Sequence, residues 1–453
     1  MIQFYVYIAF AFLVVLYLVR KHKPKYSIVT FLICFWIFID DVGNKSEFKL
    51  SLPGFDLQPM RILFLFCLAF LISKPFIDRY RSSKRFSLVS VKPNYETYLS
   101  VFIVIAGLSN VVNFNLLGPV DFYIELSIFL RFYVVYFTVR TIADEAVFKT
   151  VRDTLIVVCV VSCIVAFVQL ADQSFFRVYE LYARSAFGGL IRSTGVFRDD
   201  YLHSYIVFVG LVWVYFTEPA GIKRNALIGL FLAGIFVAFM RMGYVVTALM
   251  LWHAFYFKTR ASNQLKILVT SASMMALVVV GFWTLTSGIL DSSVAQERML
   301  DEGTMELRFK LYGKAIEEVT KSTKGFFFGY GNKDNPQYAE AIYDVTRSEL
   351  WASGEKGGWH NLFISLLYFN GFPTMVAFIA ILITFPRYLY KLQNRPGNHL
   401  YLIPFYCAVG YIVANLTLAL SISSIFGILM GISAAIAVWI REKEVNQLAN
   451  NEG

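Results

Sequence analysis

The chain alternates apolar stretches of 14 to 25 residues with polar connectors from end to end, and this alternation constrains its fold more than any motif. About 20 mostly apolar residues suffice for a helix to cross a bilayer. Stretches of that kind occupy residues 2–19, 26–39, 60–73, 97–112, 122–139, 154–171, 201–217, 226–240, 243–257, 267–288, 361–385, 400–417 and 421–440. Hydrophobic residues make up 57% of the chain and charged residues only 16%, against roughly 45–50% and about 25% in soluble domains. The polar skin of a soluble globule of this size cannot be built from so few charges. The expectation is an all-α polytopic membrane protein of about 13 spans, with 12 to 14 as the range.

Basic residues decide which connectors face inward. With the N-terminus outside, the inner connectors carry 23 Lys and Arg against 9 Asp and Glu, and the outer set is acidic on balance. The net charge of +10 is therefore a sorting signal rather than a nucleic-acid surface. The C-terminus falls inside. Residues 1–288 hold ten spans and an outer segment at 172–200, residues 289–359 form a large outer loop, residues 360–440 hold three more spans, and 441–453 form an inner tail. The first apolar stretch has its basic cluster after it rather than before it, which reads as a retained anchor and not a cleaved signal. Cys34, Cys67, Cys159, Cys163 and Cys407 all lie in apolar stretches, so neither a disulfide framework nor a thiolate metal site is implied.

The loop 289–359 is far longer than a plain connector. Within it, residues 306–321 read as an amphipathic helix with Phe309, Tyr312, Ile316 and Val319 on one face, suited to lying along a membrane surface. Outer arginines run against the positive-inside bias and call for a ligand or partner. Arg192 opens the motif Arg192-Ser193-Thr194-Gly195-Val196-Phe197, with Arg198 directly after it. Arg241 occupies a very short turn between two spans, and Arg308 lies on the amphipathic helix. A guanidinium is always charged and presents a fork of donors that matches phosphate oxygens. Ion pairing with Asp199, Asp200, Glu302 or Glu306, or snorkelling to head groups, is the plainer account. Arg131 sits mid-span, with Glu125 as its nearest candidate partner.

Of five histidines, His203 lies near the outer start of a span and His360 at the outer start of another, after Gly357-Gly358-Trp359 and before Asn361. A helix N-terminus disfavours imidazolium and keeps such a ring neutral, able to accept a proton near pH 7. Motifs for zinc proteases, nucleotide loops and serine hydrolases do not occur in the sequence. Gly329-Tyr330-Gly331 reads as a turn that lets backbone approach closely.

Taken in order, the Arg192 motif, Arg241 at a tight outer turn, Arg308 on a helix, Gly329-Tyr330-Gly331, and His360-Asn361 leading into a span with Gly371 resemble the bacterial O-antigen polymerase and O-antigen ligase superfamily, over residues 180 to 385. The resemblance implies a metal-independent GT-C type glycosyltransferase without cofactor, in the bacterial inner membrane with its site facing the periplasm. The implied donor is a glycan on undecaprenyl pyrophosphate. His360 would be the catalytic base, Arg192, Arg241 and Arg308 would hold the pyrophosphate, and Arg198, His203, Tyr330 and Asn361 are candidate substrate contacts. Membrane lipids, a chain-length regulator and a flippase of the same pathway are the expected partners. The family more often shows Asn-rich sequence where this chain has Arg198-Asp199-Asp200. A single histidine precedes Asn361, where ligases often carry a second nearby, which favours a polymerase joining lipid-linked repeats over a ligase acting on lipid A-core. A transporter or flippase is the alternative of another class, but the chain shows no internal symmetry of the kind transporters carry.

Overall fold

The structure, a computed structural model, describes residues 94–115, 133–176, 192–197, 200–238, 240–258, 302–331, 336–346, 359, 361–393, 399–417 and 425–451, together with residue 130 and shorter pieces between residues 9 and 71. A small antiparallel hairpin, β1 (Leu50–Leu52) and β2 (Phe55–Leu57), precedes the helices. Then follow α1 (Asn94–Val112), α2 (Glu145–Ala171), α3 (Asp200–Thr217), α4 (Ile222–Val237) and α5 (Arg241–Lys258). After these come α6 (Glu302–Thr320), α7 (Thr323–Phe328), α8 (Pro336–Thr346), α9 (Leu362–Asn370), α10 (Phe372–Gln393), α11 (Leu402–Thr417) and α12 (Ile425–Asn451). Three described helices are long and apolar enough to cross a membrane, over Tyr95–Val112, Glu145–Ala171 and Phe372–Lys391. The architecture is helical and the chain a membrane protein. The expected stretch 267–288 and most of the first three lie outside the described residues.

The core forms around α3, of whose 18 residues 15 are buried, from Asp200 through Phe216. A helix apolar on every side must be wrapped by protein, and α2, α4, α5, α11 and α12 pack around this one. Small residues set the spacing. A side chain on Gly210 would strike Cys159, one on Gly234 would strike Cys163, and one on Gly243 would strike Ser204. Close backbone approach through small residues is how helices associate where lipid removes the hydrophobic drive. The cysteines in this packing are buried free thiols.

Charged groups gather at one end of the bundle. Lys21 pairs with Asp153 at 2.7 Å, Arg152 approaches Glu218 at 3.7 Å, and Arg140 pairs with Glu96 and, at 3.2 Å, with Glu442. Tyr401 donates to Glu444 at 3.0 Å. These groups come from five connectors that the charge alternation assigns to one side, and the structure brings them to one end. Asp144 starts α2 there, accepting from the backbone N–H groups of Ala146 and Val147, while Tyr26 donates to its other oxygen. That cap lets α2 begin nine residues before the apolar stretch at 154. The segment expected as an inner tail continues α12 through Asn451.

The stretch 361–385 does not form one span. Asn370 ends α9, Gly371 takes a φ of +86°, and α10 starts at Phe372. Nine residues of α9 rise only about 13 Å, and the helix packs against α6 and α7 on one side and against α10, α11 and α1 on the other. Trp359, Leu367 and Tyr368 join Leu311, Ala315, Val319, Tyr338, Ala341 and Ile342 in a second core, separate from that of the bundle. Hydropathy alone does not separate a helix buried in protein from one buried in lipid. On α6 the buried stripe is Leu311, Ala315 and Val319, whereas Phe309 and Ile316 are 63% and 47% exposed. The expected face combined residues from both sides of the helix, because α8 and α9 cover a narrower i, i+4 ladder.

One joint fastens this module to the spans. Tyr330 N–H donates to the Tyr368 carbonyl at 2.9 Å and Gly331 N–H to that of Phe369 at 3.0 Å. Ser109 on α1 and Asn113 just after its end donate to the Phe328 carbonyl at 2.7 and 2.9 Å. Gly329, at φ +66°, abuts the backbone of Phe369 and Asn370, and Gly371 abuts that of Phe327 and Phe328. The approach expected of Gly329-Tyr330-Gly331 is thus realised against the α9–α10 break. A methyl group at Gly371 meets backbone that cannot yield, in a conformation costing about 1–3 kcal/mol for other residues. Gly371→Ala should therefore lower the melting temperature in detergent by several degrees. Gly313→Ala, on α6 where an added methyl meets nothing within 4 Å, should leave it unchanged or raise it. Equal effects at both positions would contradict the interlock.

Candidate functional site

Arg192 is delivered by a turn folded into the end of the bundle opposite the ion pairs. Gly195 turns the chain at φ +57°, where a side chain would strike Ser162 and His203. Gln169, buried on α2, grips that turn with both ends of its amide. Its oxygen accepts from the N–H groups of Thr194 and Gly195 at 2.9 and 3.0 Å, and its nitrogen donates to the carbonyls of Gly195 and Phe175. Ser193 donates to the Ala166 carbonyl, and Val196 N–H donates to the Ser162 hydroxyl. Sequence reasoning missed Gln169 and Ser162. The signal was present: two polar residues seven apart on one face of an otherwise apolar span.

The turn carries Arg192 to the start of α5. Arg192 pairs with the buried Asp200 at 3.0 Å and its guanidinium lies 3.5 Å from the Met240 sulfur, with 28% of the side chain exposed. Ser193 N–H donates to the Val237 carbonyl. Arg241 is the next residue after Met240 and the first of α5. Tyr244, one turn further, donates to the Phe236 carbonyl at 2.7 Å and lies within reach of the charge of Arg192. Two of the three arginines expected to hold phosphate are thus brought to one place in the chain path. The ion pairing weighed for Arg192 is realised with Asp200, which steadies the guanidinium at the bundle end.

Arg308 stands apart from that pair on α6, with Tyr312 one turn later and half-buried. Burial pushes the Tyr312 phenol above its ordinary range, while the charge of Arg308 and a hydrogen bond from the Asn361 side chain pull it down. Asn361 caps α9: its side-chain oxygen accepts from Phe363 N–H at 2.8 Å and Ile364 N–H at 3.2 Å. The helix start expected after His360 is therefore present. His360 lies outside the described residues, as do Arg198, Arg131 and Glu125. Its chain neighbours are described: Trp359 is fully buried against Tyr368 and Tyr338, with ring centroids at 4.7 and 5.7 Å, and Asn361 is the cap itself. α9 and α5 both pack against α11, which joins the two halves of the candidate site.

Two candidate substrate contacts serve packing. His203 is fully buried, with Nδ1 2.7 Å from the Ser162 hydroxyl and Nε2 3.1 Å from the Gly234 carbonyl, so both ring nitrogens are engaged inside the bundle. It closes the pocket that receives Gly195. Tyr330 donates through its hydroxyl to the Glu318 carbonyl at 2.7 Å and stacks near Tyr368, fixing α6 to the glycine joint. In both cases the polar group is used to satisfy buried partners.

Residues 226–379, about a third of the chain, match the family model described as O-antigen ligase. The match supports the O-antigen polymerase and ligase superfamily. It contains Arg241, Arg308, Gly329, His360 and Gly371, and ends within α10; Arg192 precedes it. No match was found among curated proteins.

Gln169→Leu keeps the volume of the side chain and removes its grip on the Arg192 turn. It strands the buried N–H groups of Thr194 and Gly195, each worth about 1–3 kcal/mol when unsatisfied. The expected result is a lower melting temperature and faster proteolysis between residues 176 and 200. An unchanged cleavage pattern would mean the turn holds without Gln169.

Proposed function

We propose that this protein is a polysaccharide polymerase of the bacterial inner membrane, with its site on the periplasmic side, its N-terminus periplasmic and its C-terminus cytoplasmic. It transfers a growing glycan from undecaprenyl pyrophosphate to the nonreducing end of another lipid-linked repeat unit. The observation that carries this reading is the meeting of the Arg192 turn with the Met240-Arg241 start of α5, in a chain whose matched segment also holds Arg308 and His360. In this reading His360 accepts the proton of an acceptor hydroxyl as the oxygen bonds to the anomeric carbon. The bond between that carbon and the phosphate oxygen breaks, and the electron pair leaves with the lipid pyrophosphate. Negative charge grows on the leaving group, and arginines held in advance by Asp200 and by the helix starts stabilise it most in the transition state. Arg192, Arg241 and Arg308 hold the pyrophosphate, and cations already in position supply the charge stabilisation without a divalent ion.

The description of the matched family favours a second reading, a ligase that delivers the glycan to lipid A-core. The two differ only in acceptor. A disruption strain separates them on a lipopolysaccharide gel: single-repeat molecules mark a polymerase, and bare core with accumulated lipid-linked chains marks a ligase.

With purified protein in liposomes and lipid-linked oligosaccharide, glycosidic bond formation should survive a chelator and fall at least about 100-fold in His360→Ala, the span of general base catalysis. Full turnover in that variant would remove the base from this mechanism. Arg241→Lys should also be strongly impaired, since a point charge does not replace a planar fork. Near-normal activity there would make Arg241 a lipid anchor.

A further inference from the structure

The short helix α7 sits where two helices long and apolar enough to cross a membrane, α1 and α10, come to an end. It packs against both, and Ser109 and Asn113 hold the carbonyl of its last residue, Phe328. From Phe372 to Lys391 the span of α10 has 20 residues, a rise of about 30 Å that matches the hydrocarbon thickness of a bilayer. Phe372 therefore lies at one edge of the hydrocarbon. Val376 and Ile383 continue down α10 the exposed ridge that Phe372 begins, and Val104, Leu108 and Val111 form another along α1. Apolar ridges left open on spanning helices are solvated by lipid.

That lipid-facing surface continues onto α7. Phe326 stacks on Phe372, with ring centroids at 5.0 Å and planes 19° apart. The inward side of α7 is Gly325, buried against the Tyr330 ring and hydroxyl. At 3.6 residues per turn, Thr323 and Phe327 lie opposite that glycine, and Phe327 is 47% exposed. Lys324 is exposed on one flank. The acids just before α7 are already balanced: Glu317 and Glu318 pair with Lys314 and Lys321. An open aromatic ring beside a lysine, level with the end of a span, suits the lipid interface, where the ring enters the acyl boundary and the ammonium meets head-group phosphate.

We propose that α7 is a membrane-docking element, seating Phe327 in the bilayer interface and setting Lys324 against anionic head groups. It anchors the α6–α9 module to lipid as well as to α1 and α10. This needs only the helical membrane architecture and does not depend on the glycan chemistry.

The test places nitroxide labels on the full chain, one copy per nanodisc, in phosphatidylcholine with and without phosphatidylglycerol. The native cysteines are buried, so the wild-type chain serves as the labelling blank. Collisions with oxygen, which partitions into lipid, are compared with collisions with a water-soluble nickel chelate. Phe327→Cys should give the oxygen-rich reading of Val376→Cys on the span. Glu340→Cys, exposed on α8, should give the nickel-rich reading of water. Phosphatidylglycerol should lower nickel accessibility at 327 by about twofold or more, and Lys324→Gln should abolish that dependence. Thr323→Cys repeats the comparison with Phe327 in place, so a folding defect in one variant does not decide the outcome. Nickel-rich readings at both 323 and 327 overturn the proposal, as does a 327 label indifferent to phosphatidylglycerol or a dependence that persists in Lys324→Gln. Protection that appears only when two copies share a disc assigns the patch to self-association and overturns it equally.

Discussion

The structure depends on a backbone-to-backbone contact for which no side chain leaves room. Gly329 and Gly371, both at positive φ, lie against each other's chain segments, and the carbonyl of Phe328 accepts from Ser109 of α1 and from Asn113 just after that helix. Among the described residues, that contact ties the α6–α9 module to α1 and α10. It ends α9 after nine residues, frees α10 to cross beside α1, and fastens the α6–α9 module at the end of the bundle away from the ion pairs. The cap at Asn361 lies at the other end of α9 from this joint.

A second buried turn does the same for the other half of the site. Gln169, Ser162 and His203 are polar groups inside an apolar bundle, where an unsatisfied donor is costly. Each spends its bonding capacity on the Gly195 turn or on the helices around it. The outcome is an arginine held by a carboxylate at the start of α5, on a scaffold that has no need of loop flexibility. Both halves therefore use the same device: a glycine where backbone must approach, polar side chains that satisfy the exposed backbone groups, and an arginine at the edge.

Much of this was legible in the sequence, and the rest was hidden for identifiable reasons. Among the described residues, three helices long and apolar enough to cross a membrane overlap the apolar stretches 97–112, 154–171 and 361–385, and helix ends such as Asp200 and Val112 fall within a few residues of such stretches. The grouping of Lys21, Glu96, Arg140, Glu218 and Glu442 at one end is what the alternation of charge requires. The start of a helix after Asn361 and the close approach at Gly329-Tyr330-Gly331 were readable from capping and glycine chemistry. Whether 361–385 crosses once or bends stayed open in the sequence, because an apolar helix covered by protein has the same composition as one covered by lipid; a kink is expected at Gly371-Phe372-Pro373, and the break between α9 and α10 falls there. His203 follows Arg198 closely in the chain and Tyr330 belongs to the Gly329-Tyr330-Gly331 motif, which made both candidate contacts, whereas their polar atoms are engaged by Ser162, Gly234 and Glu318.

The central claim is that a diphosphate sits between arginines from separate elements with an imidazole beside the sugar it carries. A density map of the full protein with undecaprenyl-pyrophosphate-linked oligosaccharide bound tests this most directly. The account predicts phosphate density touching Arg192, Arg241 and Arg308, with the His360 ring within hydrogen-bond reach of an acceptor hydroxyl near the anomeric carbon. Phosphate bound at the end of the bundle where Arg140 meets Glu96, or His360 remote from the glycan, would contradict it.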